Sequence, residues 1–81
     1  MPSKSVTVGS SVGLHARPAA IISEAAGALG TTVTINGVDA SSSLMIMTLG
    51  AKYGDTVEVA GEDQGDVDGI AALVEQDLDA D

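Results

Sequence analysis

The sequence has no cysteine, no tryptophan and no phenylalanine, and it holds one histidine, one arginine and one tyrosine. Without cysteine, a disulfide framework, a thiolate zinc site and a thiol nucleophile are excluded, and one histidine cannot form a multi-histidine metal site within a chain. We therefore expect neither a metal nor a cofactor. The core must be built from aliphatic side chains, because Tyr53 is the sole aromatic residue.

Positive charge and long apolar runs are scarce as well. Twelve acidic residues against three basic ones give a net charge of −9 at pH 7, which repels the phosphates of nucleic acids and anionic membrane surfaces. No apolar run approaches the roughly 20 residues of a membrane-spanning helix, and the first residues do not open a signal sequence. We expect a cytoplasmic protein that binds neither nucleic acid nor membrane.

Polar and β-branched residues alternate in several stretches, as in strands with one buried face. A first strand is expected over residues 5–8, ending at Gly9, and the last over residues 56–59. Between them, the pair Asn36-Gly37 separates two such runs and predicts a hairpin with a type I′ turn, since both residues tolerate positive φ. The alternation thus predicts four strands.

Apolar residues at helical spacing predict three helices. The first is expected over residues 16–29 with Gly30 as its stop, and the second is a short helix that ends near Leu49. The third is expected to have Asp66 as its N-cap, after an irregular acidic loop over residues 61–65. The apolar stripe of the third helix comprises Val67, Ile70, Ala71, Val74 and Leu78.

Each expected helix has one apolar stripe and each strand one apolar face. This layering predicts an α+β fold, with three helices on one face of a four-stranded antiparallel sheet. Eighty-one residues leave room for a single domain over residues 1–81 with a modest core, because so short a chain buries only about 60% of its unfolded surface. A monomer is expected.

The only histidine and the only arginine lie two residues apart, in the segment Gly13-Leu14-His15-Ala16-Arg17-Pro18-Ala19. Pro18 is expected in the first turn of a helix, where its missing N–H costs nothing. His15 then lies at a helix N-terminus, whose unpaired amides attract a phosphate or carboxylate. An imidazole can act there as a nucleophile or proton carrier, and the guanidinium suits an anion.

Segment 13–19 resembles the active-site signature of the HPr family, the histidine-containing phosphocarriers of the bacterial phosphoenolpyruvate-dependent sugar phosphotransferase system. The resemblance continues at residues 42–50, which are similar to the family's second helix, and it spans essentially the whole chain. It implies the family's open-faced β-sandwich, and a carrier that accepts a phosphoryl group from phospho-enzyme I and passes it to sugar-specific IIA proteins. Such a carrier is consumed and regenerated, so it is not an enzyme.

The resemblance also implies roles for single residues. It implies a phosphoryl group on Nδ1 of His15, stabilised by Arg17. Ser42 corresponds to a serine that a regulatory kinase phosphorylates in many Gram-positive members, with Ser41 and Ser43 as adjacent alternatives. The lysines that members often carry on the first two helices are missing, so either docking depends mainly on apolar contact, which we expect, or the partner is less acidic. Residues implied in partner docking are Ala16, Ala20, Leu44 and Met47. Leu44 and Met47 match outward-facing positions of the family, but the second helix is apolar on nearly every side, so its pattern is equally compatible with a core position for both.

Two other functions remain compatible with these residues. A regulatory relative of the nitrogen-type phosphotransfer branch would share the signature and differ in its partners. A binding module that acts mainly through protein contacts is the second alternative, although intact His15 and Arg17 argue against it. A hydrolase is disfavoured, because one histidine without a cysteine or a clear acid partner does not provide a nucleophile, a base and an orienting group.

Overall fold

A computed structural model of the protein describes residues 2–78, and these form four strands and three helices. The predicted α+β class is confirmed. Over the same residues, none of the helices has the length and apolar character needed to cross a lipid bilayer. In chain order the elements are β1 (Ser3–Thr7), α1 (Ala16–Gly27), β2 (Val33–Ile35), β3 (Val38–Asp39), α2 (Ser43–Thr48), β4 (Thr56–Gly61) and α3 (Gln64–Glu75).

The four strands form one antiparallel sheet in the order β1-β4-β2-β3. Val6 pairs with Val57 and Ile35 pairs with Val59, and all four side chains are buried. Alternate residues such as Glu58 are exposed, because successive side chains of a strand point to opposite faces. The helices therefore cover one face of the sheet and leave the other open.

The core between the two layers is aliphatic, as the lack of aromatic residues required. Each helix contributes one fully buried isoleucine, Ile22 from α1, Ile46 from α2 and Ile70 from α3, and these pack with Ile35 of the sheet. Burying a side chain of this size stabilises the folded state by about 1.5–3 kcal/mol. These contacts hold the three helices, and the residues at their ends, in fixed positions on the sheet.

The hairpin between β2 and β3 has the predicted turn. Asn36 and Gly37 both have positive φ, 49° and 85°, as a type I′ turn requires. The amide of Asn36 donates to the carbonyl of Glu58, and the Asn36 side-chain oxygen accepts from the Glu58 amide, both at 2.8 Å. These two bonds attach the hairpin to β4.

The first helix ends earlier than the sequence predicted. It stops at Gly27 instead of Leu29, and Gly30 is not its stop, since Ala28 is the C-cap. The amides of Ala28 and Leu29 donate to carbonyls only three residues back, at 3.2 Å, so the last turn is tightened. Glycine is a poor helix former, and the two glycines in this stretch oppose its continuation. Leu29 still packs against the core.

The third helix begins earlier than predicted. Its N-cap is Asp63 instead of Asp66, and the Asp63 carboxylate accepts from the Asp66 amide at 2.9 Å. The Asp66 carboxylate accepts instead from the hydroxyl of Thr31 at 2.7 Å, which ties α3 to the loop before β2. The irregular loop expected over residues 61–65 was therefore wrong, because only residues 62–63 separate β4 from α3.

Leu78 lies outside the helix to which its spacing assigned it. The helix ends at Glu75, and Gln76 has an extended conformation. Leu78 nevertheless packs against the core after this turn. The other four residues of the predicted stripe, all within α3, are buried.

Candidate functional site

His15 is the N-cap of α1, with an extended backbone (φ −94°, ψ −160°). Its carbonyl accepts from the amide of Ala19 at 2.8 Å, the first hydrogen bond of the helix. Its side chain makes no capping hydrogen bond and is exposed. The imidazole is therefore presented to solvent at the helix N-terminus and is free to react.

The first turn of α1 has two unused donors. Within residues 2–78 the amides of Ala16 and Arg17 donate to no acceptor, as expected for the first residues of a helix. Pro18, the third residue, has no N–H to leave unpaired. Pro18 and Ala19 are buried, so the start of the helix is packed against the body of the protein. Two fixed donors and the positive end of the helix dipole thus lie next to His15.

Arg17 adds a mobile positive charge to these fixed donors. Its side chain is exposed, and in the described part of the chain no hydrogen bond or ion pair engages the guanidinium. A guanidinium can bind two oxygens of a phosphate at once. The structure thus brings together the two residues that the sequence singled out, in an arrangement suited to an anion.

The loop before His15 is positioned by contacts with two segments that are distant in sequence, and the first of these segments contains Ala51. Gly13 has φ of +75°, and a Cβ at this position would lie 2.5 Å from the carbonyl oxygen of Ala51. The next residue, Leu14, is 3% exposed, and its amide donates to that same carbonyl at 2.9 Å. Leu14 therefore anchors the loop in the core, and His15 follows on the surface.

Ser10 is the second anchor of this loop. It is fully buried, and its hydroxyl donates to the carbonyl of Gln76 at 3.2 Å and accepts from the amide of Leu78 at 3.1 Å. Its carbonyl accepts from the amide of Gly13 at 2.8 Å. Sequence reasoning missed Ser10, because nothing in a short polar loop indicates which hydroxyl will be buried by a distant segment.

Three of the four residues expected to take part in docking are exposed. Ala16 and Ala20 of α1 are exposed, and Leu44 of α2 is 67% exposed. The two helices pack against each other. Met47 is only half-exposed and packs against the core, so its expected outward position was wrong in part. Met45, which the sequence analysis did not place in docking, is 44% exposed.

The three serines before α2 have different partners. Ser42 is the N-cap, and its hydroxyl accepts from the amide of Met45 at 3.3 Å. The hydroxyl and the amide of Ser41 both donate to Asp39, at 2.7 and 2.9 Å, and these bonds hold the pKa of the Asp39 carboxyl below its usual value. Ser43 is the first residue of the helix. Of the three serines, Ser42 is thus the N-cap of α2.

Comparisons with known proteins agree with this geometry. The family model described as "PTS HPr component phosphorylation site" matches residues 2–76. The phosphocarrier protein HPr of Streptomyces coelicolor is 38% identical over 87 residues, which cover 98% of this chain and 94% of that protein. The similarity therefore extends along nearly the whole length of both chains.

Solved structures show the same fold. An HPr of Thermoanaerobacter tengcongensis superposes with a TM-score of 0.88 at 25% identity, covering 100% of this chain and 99% of the other. The phosphocarrier protein HPr of Bacillus anthracis superposes with a TM-score of 0.83 at 29% identity, covering 90% of this chain and 95% of the other. The open-faced arrangement of sheet and helices is thus shared with these proteins.

Proposed function

Since this chain belongs to the HPr family, the phosphocarriers of the phosphotransferase system, we propose that His15 is the residue that carries the phosphoryl group. The protein is a carrier and not an enzyme, because the group that it accepts is bound to it and is then passed on. The observation that supports His15 is its exposed, uncapping imidazole beside two amides and an arginine that have no partner among residues 2–78.

In the proposed transfer, a lone pair on Nδ1 of His15 forms a bond to phosphorus while the bond between phosphorus and the donor breaks. The electron pair of the broken bond leaves with the donor, so nothing is oxidised or reduced. Phosphoryl transfer spreads negative charge over three oxygens in the transition state, and the protein's task is positioning and charge stabilisation. The amides of Ala16 and Arg17 suit that task, because they are fixed by the helix before the phosphoryl group arrives.

Arg17 has a related role in this proposal. Its guanidinium pairs with the phosphoryl oxygens during transfer and stabilises the phosphorylated carrier. No neighbour in the described residues competes for the guanidinium, so its charge is available to the phosphate. The charge is also locally important, because the protein carries a net charge of −9 and only three basic residues.

The family's partners are other components of the phosphotransferase system. We propose that the donor is phospho-enzyme I, that the acceptors are sugar-specific IIA proteins, and that transfer takes place in the cytoplasm. Each partner must reach His15, so each must also cover the neighbouring surfaces of α1 and α2. Ala16, Ala20 and Leu44 are exposed on these helices. Met47 takes part through the portion of its side chain that is not covered by the core.

Phosphorylation of Ser42 by a serine kinase is the regulatory part of the proposal. Ser42 is half-buried and its hydroxyl is used as the helix cap, so a kinase must displace that bond. The added charge of about −2 would lie at a helix N-terminus, where an anion is favourable. Regulation would therefore act on docking and not on folding.

Ser42→Asp should keep the melting temperature and weaken binding to enzyme I, whereas unchanged binding would count against this site.

The central experiment is incubation with enzyme I and phosphoenolpyruvate, followed by intact-mass measurement and a test of acid lability. Wild-type protein should gain one acid-labile phosphoryl group. His15→Ala should gain none and should keep the wild-type melting temperature, because an exposed N-cap side chain without a capping bond contributes little to stability. A phosphorylated His15→Ala variant would show that the site is elsewhere. Acceptance only from a nitrogen-type enzyme I would favour the regulatory relative.

A further inference from the structure

Lys52 lies beside the loop that carries His15, although it is 37 positions later in the printed sequence. A Cβ added to Gly13 would lie 2.9 Å from the Cα of Lys52. Because two residues span at most about 7 Å, the Cα atoms of Lys52 and His15 are no more than about 12 Å apart. A typical protein interface covers about 800 Å² on each partner, a patch of roughly 16 Å radius if circular. The Cα of Lys52 therefore lies within the radius of such a patch centred on His15.

The basic residues are distributed unevenly over the fold. Arg17 and Lys52 both lie at this site, and the third, Lys4, lies in β1. Lys4 precedes Val8 by four residues, which corresponds to about 13 Å along an extended chain. Val8 is the residue whose amide donates to Asp55, close to Lys52. Two of three basic residues thus lie near His15, and the third is at the far end of a strand.

The ammonium group of Lys52 is available to a partner. The side chain is exposed, and none of residues 2–78 forms an ion pair with it. Among the carboxylates near this segment, Asp55 accepts from the amide of Lys52 itself at 2.9 Å and Asp77 from the amide of Ser11 at 3.4 Å, and the exposed Glu75 lines one pocket with Asp77 and Tyr53. The ammonium group is not neutralised by either bond.

We infer that Lys52 is a docking residue that, together with Arg17, attracts the phosphoryl-bearing face of phospho-enzyme I towards His15. The inference rests on the proposed function. Its physical basis is that a carrier of charge −9 repels a phosphorylated partner, and a local pair of positive charges counteracts that repulsion at the one place where transfer occurs. Charges at the edge of an interface act mainly on the rate of association and on its salt dependence.

This residue also changes the expectation that docking depends mainly on apolar contact. That expectation considered only the first two helices, which carry no lysine. Lys52 lies after α2, in the segment that returns to Gly13. The electrostatic part of docking is therefore supplied from a different segment of the chain.

The test compares Lys52→Gln with Lys4→Gln, because both variants remove one exposed lysine and change the net charge equally. The measured quantity is the second-order rate constant for phosphoryl acceptance from enzyme I and phosphoenolpyruvate, at about 0.02 M and about 0.5 M salt. At low salt we expect Lys52→Gln to be about 3- to 10-fold slower than wild type, and Lys4→Gln to remain within about twofold. Lys52→Arg should restore the wild-type rate.

At high salt the difference between the two glutamine variants should largely disappear. Equal rates for these variants at low salt, with normal wild-type transfer, would overturn the inference and leave the proposed function intact. A slowing by Lys52→Gln that is unaffected by salt would also overturn it, since it would indicate a packing role. If the wild-type protein accepted no phosphoryl group, the proposed function would fail, and the inference with it.

Discussion

The amide of Leu14 donates a 2.9 Å hydrogen bond to the carbonyl of Ala51. Leu14 directly precedes His15, and Ala51 lies three residues after the end of α2. The loop that carries His15 is thus held against a segment that is distant in sequence. A change at their contact should affect both the stability of the fold and the rate of transfer.

Gly13→Ala is expected to lower both the stability of the fold and the rate of phosphoryl transfer, with Gly37→Ala as the matched control. Both glycines have positive φ, which costs a residue with a Cβ about 1–2 kcal/mol. A Cβ at Gly37 has no atom within 4 Å, whereas at Gly13 it lies 2.5 Å from the Ala51 carbonyl oxygen. Gly13→Ala should therefore lose more free energy of unfolding than Gly37→Ala, as measured by urea denaturation.

The same pair of variants tests whether the loop before His15 affects the rate of phosphoryl acceptance. Gly13→Ala should slow phosphoryl acceptance, because displacement of the loop moves His15 relative to the amides of Ala16 and Arg17. Gly37→Ala should leave the rate unchanged, since the hairpin turn lies outside the site. Equal losses of stability in the two variants would contradict the close approach between Gly13 and Ala51.

Arg17→Ala should retain phosphoryl acceptance and slow it. Loss of a hydrogen bond to a charged group costs about 1.5–3 kcal/mol, which corresponds to a rate about 10- to 150-fold lower. The melting temperature should not change, because the side chain is exposed and makes no contact with other charged groups in the described residues. Arg17→Lys is the control, because it keeps the positive charge and removes the bidentate hydrogen bonding of the guanidinium. It should give an intermediate rate of phosphoryl acceptance in rapid-quench measurements.

Leu44→Glu and Met47→Glu should differ in their effect on stability. Leu44 is 67% exposed, so its replacement should change the free energy of unfolding by no more than about 0.5 kcal/mol. Met47 packs against the core, and a carboxylate there should cost about 1–3 kcal/mol. Both variants should weaken enzyme I binding in calorimetric titration, by about tenfold or more for Leu44→Glu. Unaltered binding by Leu44→Glu would remove α2 from the docking surface.

Asp39→Asn should reduce the pH dependence of stability in the acidic range. The pKa of Asp39 is lowered from its ordinary value of 3.8, first by the hydroxyl of Ser41 and then by its amide. A lowered folded-state pKa contributes stability above the unfolded-state pKa, and this contribution is lost as the pH falls through the folded-state pKa. Wild type should therefore be the more stable protein near pH 6, and the two should converge below pH 3.8. A constant difference down to the lowest pH would show that ionisation of Asp39 is not involved.

Much of the fold could be predicted from the sequence, because the decisive patterns were local. Alternation marked the strands, Asn36-Gly37 marked the turn, and helical spacing marked the face of α3 that is buried. The start of α3 was predicted wrongly, because Asp63 and Asp66 are both good caps by residue type. In the structure Asp63 is the cap, and the Asp66 carboxylate accepts from Thr31, more than thirty residues away. Local preference alone does not separate two equivalent caps.

The two residues of the proposed site were predicted from one short segment, whereas the residues that position this segment were not. His15 and Arg17 were identified by their rarity and spacing, which are properties of the sequence. Ser10 contacts residues 76 and 78, and Lys52 lies against Gly13, so no local pattern revealed their positions near this loop. The burial of Met47 was likewise undetermined, because the sequence of α2 is apolar on nearly every side.

Tyr53 follows Lys52 directly, is 67% exposed, and is the only aromatic residue. The single chromophore of the near ultraviolet therefore lies outside the aliphatic core and next in sequence to Lys52. Its fluorescence should respond weakly to unfolding, because the ring is already in water in the folded protein. The same signal should change when a partner covers the His15 surface. Tyr53 fluorescence should therefore report complex formation and hardly report unfolding. The stability of this protein has to be followed by a signal from the backbone instead.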